Sequence, residues 1–356
     1  MRVLILGGSG FVGRAVAEEA VRRGDAVTVF NRGRREQPAG VRVLVGDRWA
    51  ADGLAADGLA ALSGGEWDAV VDTWSAEGAA VRRSAGLLRG RAGVYVYVSS
   101  RSVYAWGGQV PVTEDAPLVA ADEPGYAGDK LRGELGAAAF DGPVLVARAG
   151  LILGPYEDVG RLPWWLRRLE RGGPTLAPGP RDLPVQFVDV RDLAVFLLDA
   201  AAAGRSGAFT VAGPPGQTTM GELLGEAAAV TGGRARLRWT APEVVAAAGI
   251  APWTQLPIWM PPGPDHAFLY GADVSRAVAA GLRCRPVAAT VADTWAWLRG
   301  MPGAAPLRAD RERVGLDPRV EAAVLGEQFG EAGGADVAAG QDHADAGRGG
   351  VQPAGE

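Results

Sequence analysis

Tyr126 and Lys130 stand four residues apart in Tyr126-Ala127-Gly128-Asp129-Lys130. On a helix that spacing puts both side chains on one face. A lysine ammonium beside a phenol favours the phenolate, so the pair is suited to moving a proton. Upstream, the apolar run Val94–Ser99 ends in Ser99-Ser100-Arg101-Ser102-Val103-Tyr104. A serine hydroxyl at the end of such a strand can hydrogen-bond a substrate oxygen as negative charge develops on it. A third group opens the chain, Gly7-Gly8-Ser9-Gly10-Phe11-Val12-Gly13. Glycines there allow a tight turn and let phosphate oxygens approach the N–H groups of a following helix.

The surrounding segments supply the frame these residues need. A strand pattern at Arg2–Leu6 precedes the glycines, an alanine-rich amphipathic stretch at Arg14–Arg23 follows, and a second strand pattern lies at Ala26–Phe30. Strand, glycine turn, helix and strand in that order form a dinucleotide-binding unit. Two glycine registers overlap: Gly8, Gly10 and Gly13, or Gly7, Gly10 and Gly13. Further buried-strand runs fall at Val41–Val45, Ala69–Asp72, Val94–Ser99 and Pro143–Arg148, with helical segments between them at Ala76–Leu88 and Lys130–Ala139. This alternation predicts an α/β fold, a doubly wound parallel sheet of the Rossmann type with helices on both faces.

The second half is less regular. Leu151–Pro184 reads as a Gly-Pro turn, the Trp164-Trp165 pair and a Pro/Gly-rich loop. Strand patterns at Val185–Val190 and Ala208–Val211 flank a helix at Asp192–Ala203. Thr218–Thr231 is a helix with a Thr cap and Glu222 placed for a capping box. Trp253–Pro264 reads as irregular, and Ala288–Leu298 as the last helix. We expect a dinucleotide-binding domain over 1–150, rejoined by about 185–212, and a smaller C-terminal substrate domain over 151–330. Residues 331–356 are Gly, Ala, Asp and Gln with few large apolar side chains, and are expected to be a disordered tail. Ala51–Ala60 holds a short tandem copy of Ala-Asp-Gly-Leu-Ala, too short for a structural repeat.

Composition narrows the function classes. At 48% hydrophobic and 22% charged residues the chain has the balance of a globular enzyme. A net charge of −5 disfavours a nucleic-acid partner. Cys284 is the single cysteine, which excludes an internal disulfide and fits a reducing compartment. No apolar run is long enough to span a bilayer and no signal-peptide layout is present, so a cytoplasmic location without a membrane partner is expected. His266 and His343 are the only histidines, which argues against a metal site or a histidine-based triad.

The assembled motifs resemble the extended short-chain dehydrogenase/reductases, the NAD-dependent epimerase/dehydratase-like family. The matching residues are Gly-Gly-Ser-Gly-Phe-Val-Gly at 7–13, Gly-Asp at 46–47, Val-Ser-Ser-Arg-Ser-Val-Tyr at 98–104, and Tyr126 with Lys130. Leu-Gly-Pro at 153–155 and Val-Asp-Val-Arg-Asp-Leu-Ala at 188–194 match as well. The resemblance covers roughly residues 1–300 and selects the register Gly7, Gly10, Gly13. It implies that Ser100 polarises the substrate oxygen, Tyr126 is the acid/base, and Lys130 tunes Tyr126 and anchors the nicotinamide ribose. It also implies that Phe11 and Val12 join the glycines at the cofactor, that Asp47 contacts the adenine, and that Thr73 lies beside the adenine ribose.

At the end of the second strand an NAD enzyme usually carries Asp or Glu for the ribose hydroxyls. This chain has Asn31-Arg32-Gly33-Arg34-Arg35. Arginine pairs well with phosphate, so NADP is the expected cofactor, with NAD still open through Asn31. Dehydratases of the family carry an Asp-Glu pair directly after the catalytic serine or threonine, where this chain has Arg101-Ser102. The expected function is therefore an NADP-dependent oxidoreductase moving a hydride between nicotinamide and a small or medium organic carbonyl/alcohol. A nucleotide-sugar epimerase with tightly bound NAD is the alternative. A cofactor-sensing or RNA-associated protein on the same fold is a further one, against which the retained Ser100, Tyr126 and Lys130 argue. The expected partner is a small-molecule substrate, and a homodimer is compatible. Arg161, Arg167, Arg168 and Arg181 are expected to be solvated, and the tryptophans at 164, 165, 253 and 259 to be core or pocket wall.

Overall fold

The computed structural model describes residues 1–48, 56–301, 303, 307–308 and 313–329. The expected tail over 331–356 and the first copy in the 51–60 repeat lie outside the described residues.

The first half folds as β1 (Arg2–Leu6), α1 (Phe11–Arg22), β2 (Ala26–Asn31), β3 (Arg42–Val45), β4 (Trp67–Asp72), α2 (Gly78–Leu87), β5 (Ala92–Ser100), α3 (Gly125–Ala137) and β6 (Val144–Ala149). These six strands and the later strand Gly207–Val211 make one seven-stranded sheet. Its order runs from Gly207–Val211 through β6, β5, β4, β1 and β2 to β3. Every pairing in it is parallel. The α/β doubly wound sheet is borne out.

The pleat explains the continuous apolar runs. In β1, Val3 and Ile5 enter a core shared with α1 and the helix Val190–Ala202, while Leu4 and Leu6 enter the core under α2 on the opposite face. Both faces are covered, so every position from Val3 to Leu6 is apolar. The strand order reverses between β1 and β4, and ligands of such sheets bind at the carboxyl ends of the strands there.

A second core lies over 151–329. It packs the helices Arg161–Glu170, Met220–Val230, Val287–Arg299 and Pro318–Phe329 with the parallel strand pair Gly173–Pro178 and Ala235–Thr240. Trp165 and Trp259 are fully buried in it, and each indole N–H donates to a carbonyl, of Pro257 and Gly179 respectively. The capping box on Met220–Val230 forms as expected, between Thr219 and Glu222.

Four readings of the sequence need correction. Helix α3 begins at Gly125, five residues before Lys130; Pro124 stands at its N-cap in extended conformation and disfavours helix in the residue before it. Leu151–Pro184 is ordered into the strand Leu151–Leu153, the helix Arg161–Glu170 and the strand Gly173–Pro178. Ala288–Leu298 is not the last helix: Pro318–Phe329 follows it. Lastly, two of the arginines expected to be solvated are not. Arg167 donates to Glu170 and to the carbonyls of Leu298 and Met301. Arg168 is buried and grips Glu321 at 2.7 Å, while Glu321 also accepts from the N–H of Leu176. That ion pair fastens the last helix, and its partners are 153 residues apart.

Breaking a buried pair on one side strands the other charge and costs about 3–5 kcal/mol. Glu321→Ala should therefore destabilise the protein by that amount in urea unfolding. A loss under about 1 kcal/mol, the range of an exposed pair, would show that the helix is fastened by other contacts.

Candidate active site

The ends of β1, β2, β4 and β5 converge on the crevice. After β1, Gly7 adopts a φ of +129°, and a Cβ there would fall 2.4 Å from Thr73 Oγ1 at the end of β4. Thr73 in turn donates its hydroxyl to the Leu6 carbonyl at 3.1 Å. Gly13 lies in the first turn of α1, where a Cβ would meet Gly8 N at 2.5 Å. Gly7 and Gly13 thus let the turn close on itself. Gly10 differs. A Cβ there would meet nothing nearer than Arg35 Nη1 at 3.6 Å, so its smallness is not needed for packing. Gly10 is also the N-cap of α1, without a side-chain cap and with no acidic residue in the first turn. The amide donors of Phe11 and Val12 at this helix start, and the space over Gly10, suit an anionic group such as a pyrophosphate. The Phe11 side chain is buried in the core on that side of the sheet, and Val12 packs against it half-buried.

The end of β2 is braced internally. Asn31 Nδ2 donates to the Gly7 carbonyl at 2.9 Å and to Gln37 Oε1 at 2.8 Å, and Asn31 Oδ1 accepts from Gly33 N. Its side chain holds the glycine turn. Arg32 and Arg34 are exposed, and Arg35 reaches Asp158 at 3.0 Å. Asp47 follows β3, next to Arg48.

Arg48 was not singled out from the sequence. Its guanidinium donates twice to Asp72 at the end of β4, at 2.6 and 2.7 Å, with both side chains buried. Asp72 also accepts from Tyr95 Oη and from Trp74 N. Burial works against its charge, but Arg48 and these hydrogen bonds outweigh it and hold the carboxyl below its ordinary range. Burial and Asp72 together push the Tyr95 phenol well up, so it stays a neutral donor. The signal in the sequence was a carboxylate closing a buried strand, a position that requires a cation nearby.

Ser100 closes β5. Its hydroxyl accepts from Ser102 N and donates to Ser102 Oγ, both at 3.1 Å. Ser99 beside it bonds Glu134 of α3, which Arg148 of β6 grips through a buried ion pair at 2.9 Å. Lys130 is buried, and Nζ donates to the carbonyls of Trp74 and Val98, each at 2.7 Å. The same ammonium lies 6.0 Å from the centroid of the Tyr126 ring, which is 38% exposed. The structure therefore brings Tyr126, Lys130 and the end of β5 together beside the β4 end that borders the glycine turn.

Arg101, directly after Ser100, points away from solvent. It is buried and donates to the carbonyls of Phe268 and Leu269, in the last turn of the helix Pro264–Tyr270. Burial lowers it to about 10, which still leaves it charged. His266 lies on that helix, with a ring nitrogen on the Pro184 carbonyl. No group of His, Cys, Asp and Glu among the described residues could hold a metal ion. None of the described helices is long and apolar enough to cross a membrane.

The model of the NAD dependent epimerase/dehydratase family matches residues 3–212. No curated protein matches the chain. Among solved structures, the Bordetella bronchiseptica enzyme WbmG in complex with NAD and UDP is similar at 20% identity and a TM-score of 0.63, covering 84% of this chain and 95% of its own. A UDP-glucose 4-epimerase is similar at 16% identity and a TM-score of 0.60, over 85% and 99% of the two chains. The Bacillus anthracis dTDP-glucose 4,6-dehydratase in complex with NAD is similar at 14% identity and a TM-score of 0.61, over 85% and 97%. At these identities the likeness is one of fold.

Gly13→Ala tests the turn geometry. Its methyl would meet backbone, which cannot rotate away, so the turn must shift at a cost of about 1–3 kcal/mol. We expect a lower melting temperature together with weakened nucleotide binding in calorimetry. Unchanged values for both would mean that the turn is not closed as described.

Proposed function

The chain belongs to the NAD-dependent epimerase/dehydratase family, whose members are NAD-dependent enzymes of the extended short-chain dehydrogenase/reductase type, and from that premise we propose an NADP-preferring oxidoreductase of a small or medium organic carbonyl/alcohol pair. The observation that carries the cofactor choice is the end of β2. No carboxylate stands at positions 31–35, and Asn31 is spent on Gly7, Gly33 and Gln37. Arg32, exposed at that edge, suits a 2′-phosphate. The glycine turn would hold the pyrophosphate, Thr73 would border the adenine ribose and Asp47 the adenine.

When bound, the nicotinamide supplies the hydride chemistry. The chain's own groups handle the proton and the oxygen. Tyr126 passes a proton to the substrate oxygen during reduction and accepts it back during oxidation. Ser100, released from Ser102, donates its hydroxyl to the same oxygen and stabilises charge as it develops. Lys130, 6.0 Å from the Tyr126 ring, would present its ammonium to the nicotinamide ribose. Arg101 and Ser102 supply no carboxylate beside Ser100, and Arg101 is committed to two helix carbonyls, which disfavours elimination of water. The substrate is selected by residues of the 151–330 region.

The second reading is a nucleotide-sugar epimerase. Ser100, Tyr126 and Lys130 serve it equally well, and the fold likeness to a UDP-glucose 4-epimerase favours it. Against it stand the arginines of the 151–330 region. Arg167 and Arg168 are engaged by Glu170 and Glu321, which leaves neither poised for a sugar diphosphate.

A reductase must release oxidised cofactor at each cycle. We expect the purified protein to carry little nucleotide and to consume NADPH in proportion to product, followed at the reduced-nicotinamide absorbance. Arg32→Ala should remove a preference for NADPH worth about 1.5–3 kcal/mol, on the order of ten- to a hundredfold. Retained NAD, with inversion of a UDP- or dTDP-sugar and no net absorbance change, would overturn this reading in favour of the epimerase.

A further inference from the structure

One ion pair crosses the mouth of the glycine turn. Arg35, in the loop after β2, reaches Asp158, in the loop before the helix Arg161–Glu170, at 3.0 Å over a separation of 123 residues. Its Nη1 lies 3.6 Å from where a Gly10 Cβ would be, over the uncapped start of α1. The guanidinium therefore stands where an anion held by that helix start would meet it.

The two partners are held very differently. Asp158 is fixed. Its side chain is 10% exposed, its carbonyl accepts from Arg308 N, and the neighbouring Glu157 is buried with its carboxylate on the N–H groups of Arg161 and Leu162. On the other side of Asp158's loop, Tyr156 lies against Arg14 of α1. The Arg35 side chain is 51% exposed, on a long flexible stem. Its backbone is nevertheless tied to the turn, because its carbonyl accepts from Gln37, which bonds Asn31, which bonds Gly7. The anchor of this arm is set and its head can move.

We propose that Arg35 is a pyrophosphate-binding arm and that Asp158 is its internal competitor. Without nucleotide, Asp158 holds the guanidinium over Gly10. With nucleotide, the arm turns from the carboxylate to the phosphate oxygens, and the 154–160 loop loses its tie to the β2 end. A half-exposed ion pair is weakly held, while bidentate contact with phosphate is among the stronger charge-assisted bonds, so the exchange is favourable but not free. Asp158 thereby weakens binding of either dinucleotide and favours release of spent cofactor. Arg32, not Arg35, is left to distinguish NADPH from NADH. The inference rests on the dinucleotide-binding reading above but not on its choice of NADP.

The test is a cycle of Asp158→Asn, Arg35→Ala and the double variant, with NADH and NADPH titrated separately by calorimetry. Asp158→Asn should tighten both dinucleotides by on the order of three- to tenfold. Arg35→Ala should weaken both, and Asp158→Asn should have no effect in the Arg35→Ala background. Asp158→Ser repeats the measurement with a side chain too short to hold Arg35. Unchanged or weaker binding in both Asp158 variants would overturn the proposal. So would tightening confined to NADPH, which would put Arg35 on the 2′-phosphate, or tightening that persists without Arg35, which would be plain repulsion by Asp158. Failure of the parent chain to bind either dinucleotide would overturn the cofactor reading as well; binding without response to these exchanges overturns this inference alone.

Discussion

The site hangs on one ammonium. Lys130 Nζ, buried beneath α3, donates to the Trp74 carbonyl beyond β4 and to the Val98 carbonyl within β5. Those two bonds join the helix that carries Tyr126 to the two strand ends that flank the crevice. A charged donor so deeply placed needs strong acceptors, and two carbonyls supply them. The position of Tyr126 follows, because it is one helical turn away on the same face. The end of β4 must then be rigid if Trp74 is to present its carbonyl. That rigidity comes from Asp72, which Arg48, Tyr95 and the Trp74 amide hold from three directions.

The same logic, buried arginines placed on strand and helix ends, recurs across the molecule. Arg148 with Glu134 sets the end of β5 against α3, and Arg168 with Glu321 sets the last helix on the second core. Arg101 bridges Ser100's neighbourhood to the helix Pro264–Tyr270 through carbonyls. These pairs contribute less to net stability than their geometry suggests, since desolvation offsets most of the attraction. Their effect is positional: removing either partner leaves a buried charge, so alternative arrangements of the crevice walls are strongly disfavoured.

What was legible in the sequence was local. The parallel sheet could be read from apolar runs such as Val3–Leu6, because strands covered on both faces are mostly apolar along their length. The capping box at Thr219 and Glu222 could be read because its partners are three residues apart. The shared face of Tyr126 and Lys130 needed only helical periodicity. What escaped notice depends on distant partners. The helix Pro318–Phe329 is anchored by Glu321 to an arginine 153 residues away, and nothing near it announces that arginine. Arg35 could be read only as one more arginine of a basic turn, since Asp158 lies 123 residues on. Asn31 looked free for a ribose hydroxyl, and only the closed turn revealed Gly7 as its acceptor.

The central claim is that Tyr126 moves the proton at a site assembled around Lys130. The most direct measurement compares Tyr126→Phe with the parent protein in turnover of a carbonyl substrate drawn from a panel and in binding of NADPH. The phenol supplies acid/base catalysis worth on the order of a hundredfold to ten-thousandfold, so turnover should fall by that factor. Binding of NADPH should remain within about twofold, because the glycine turn and the β2 end are untouched. Turnover within a few-fold of the parent would contradict the account, since the proton would then come from another group.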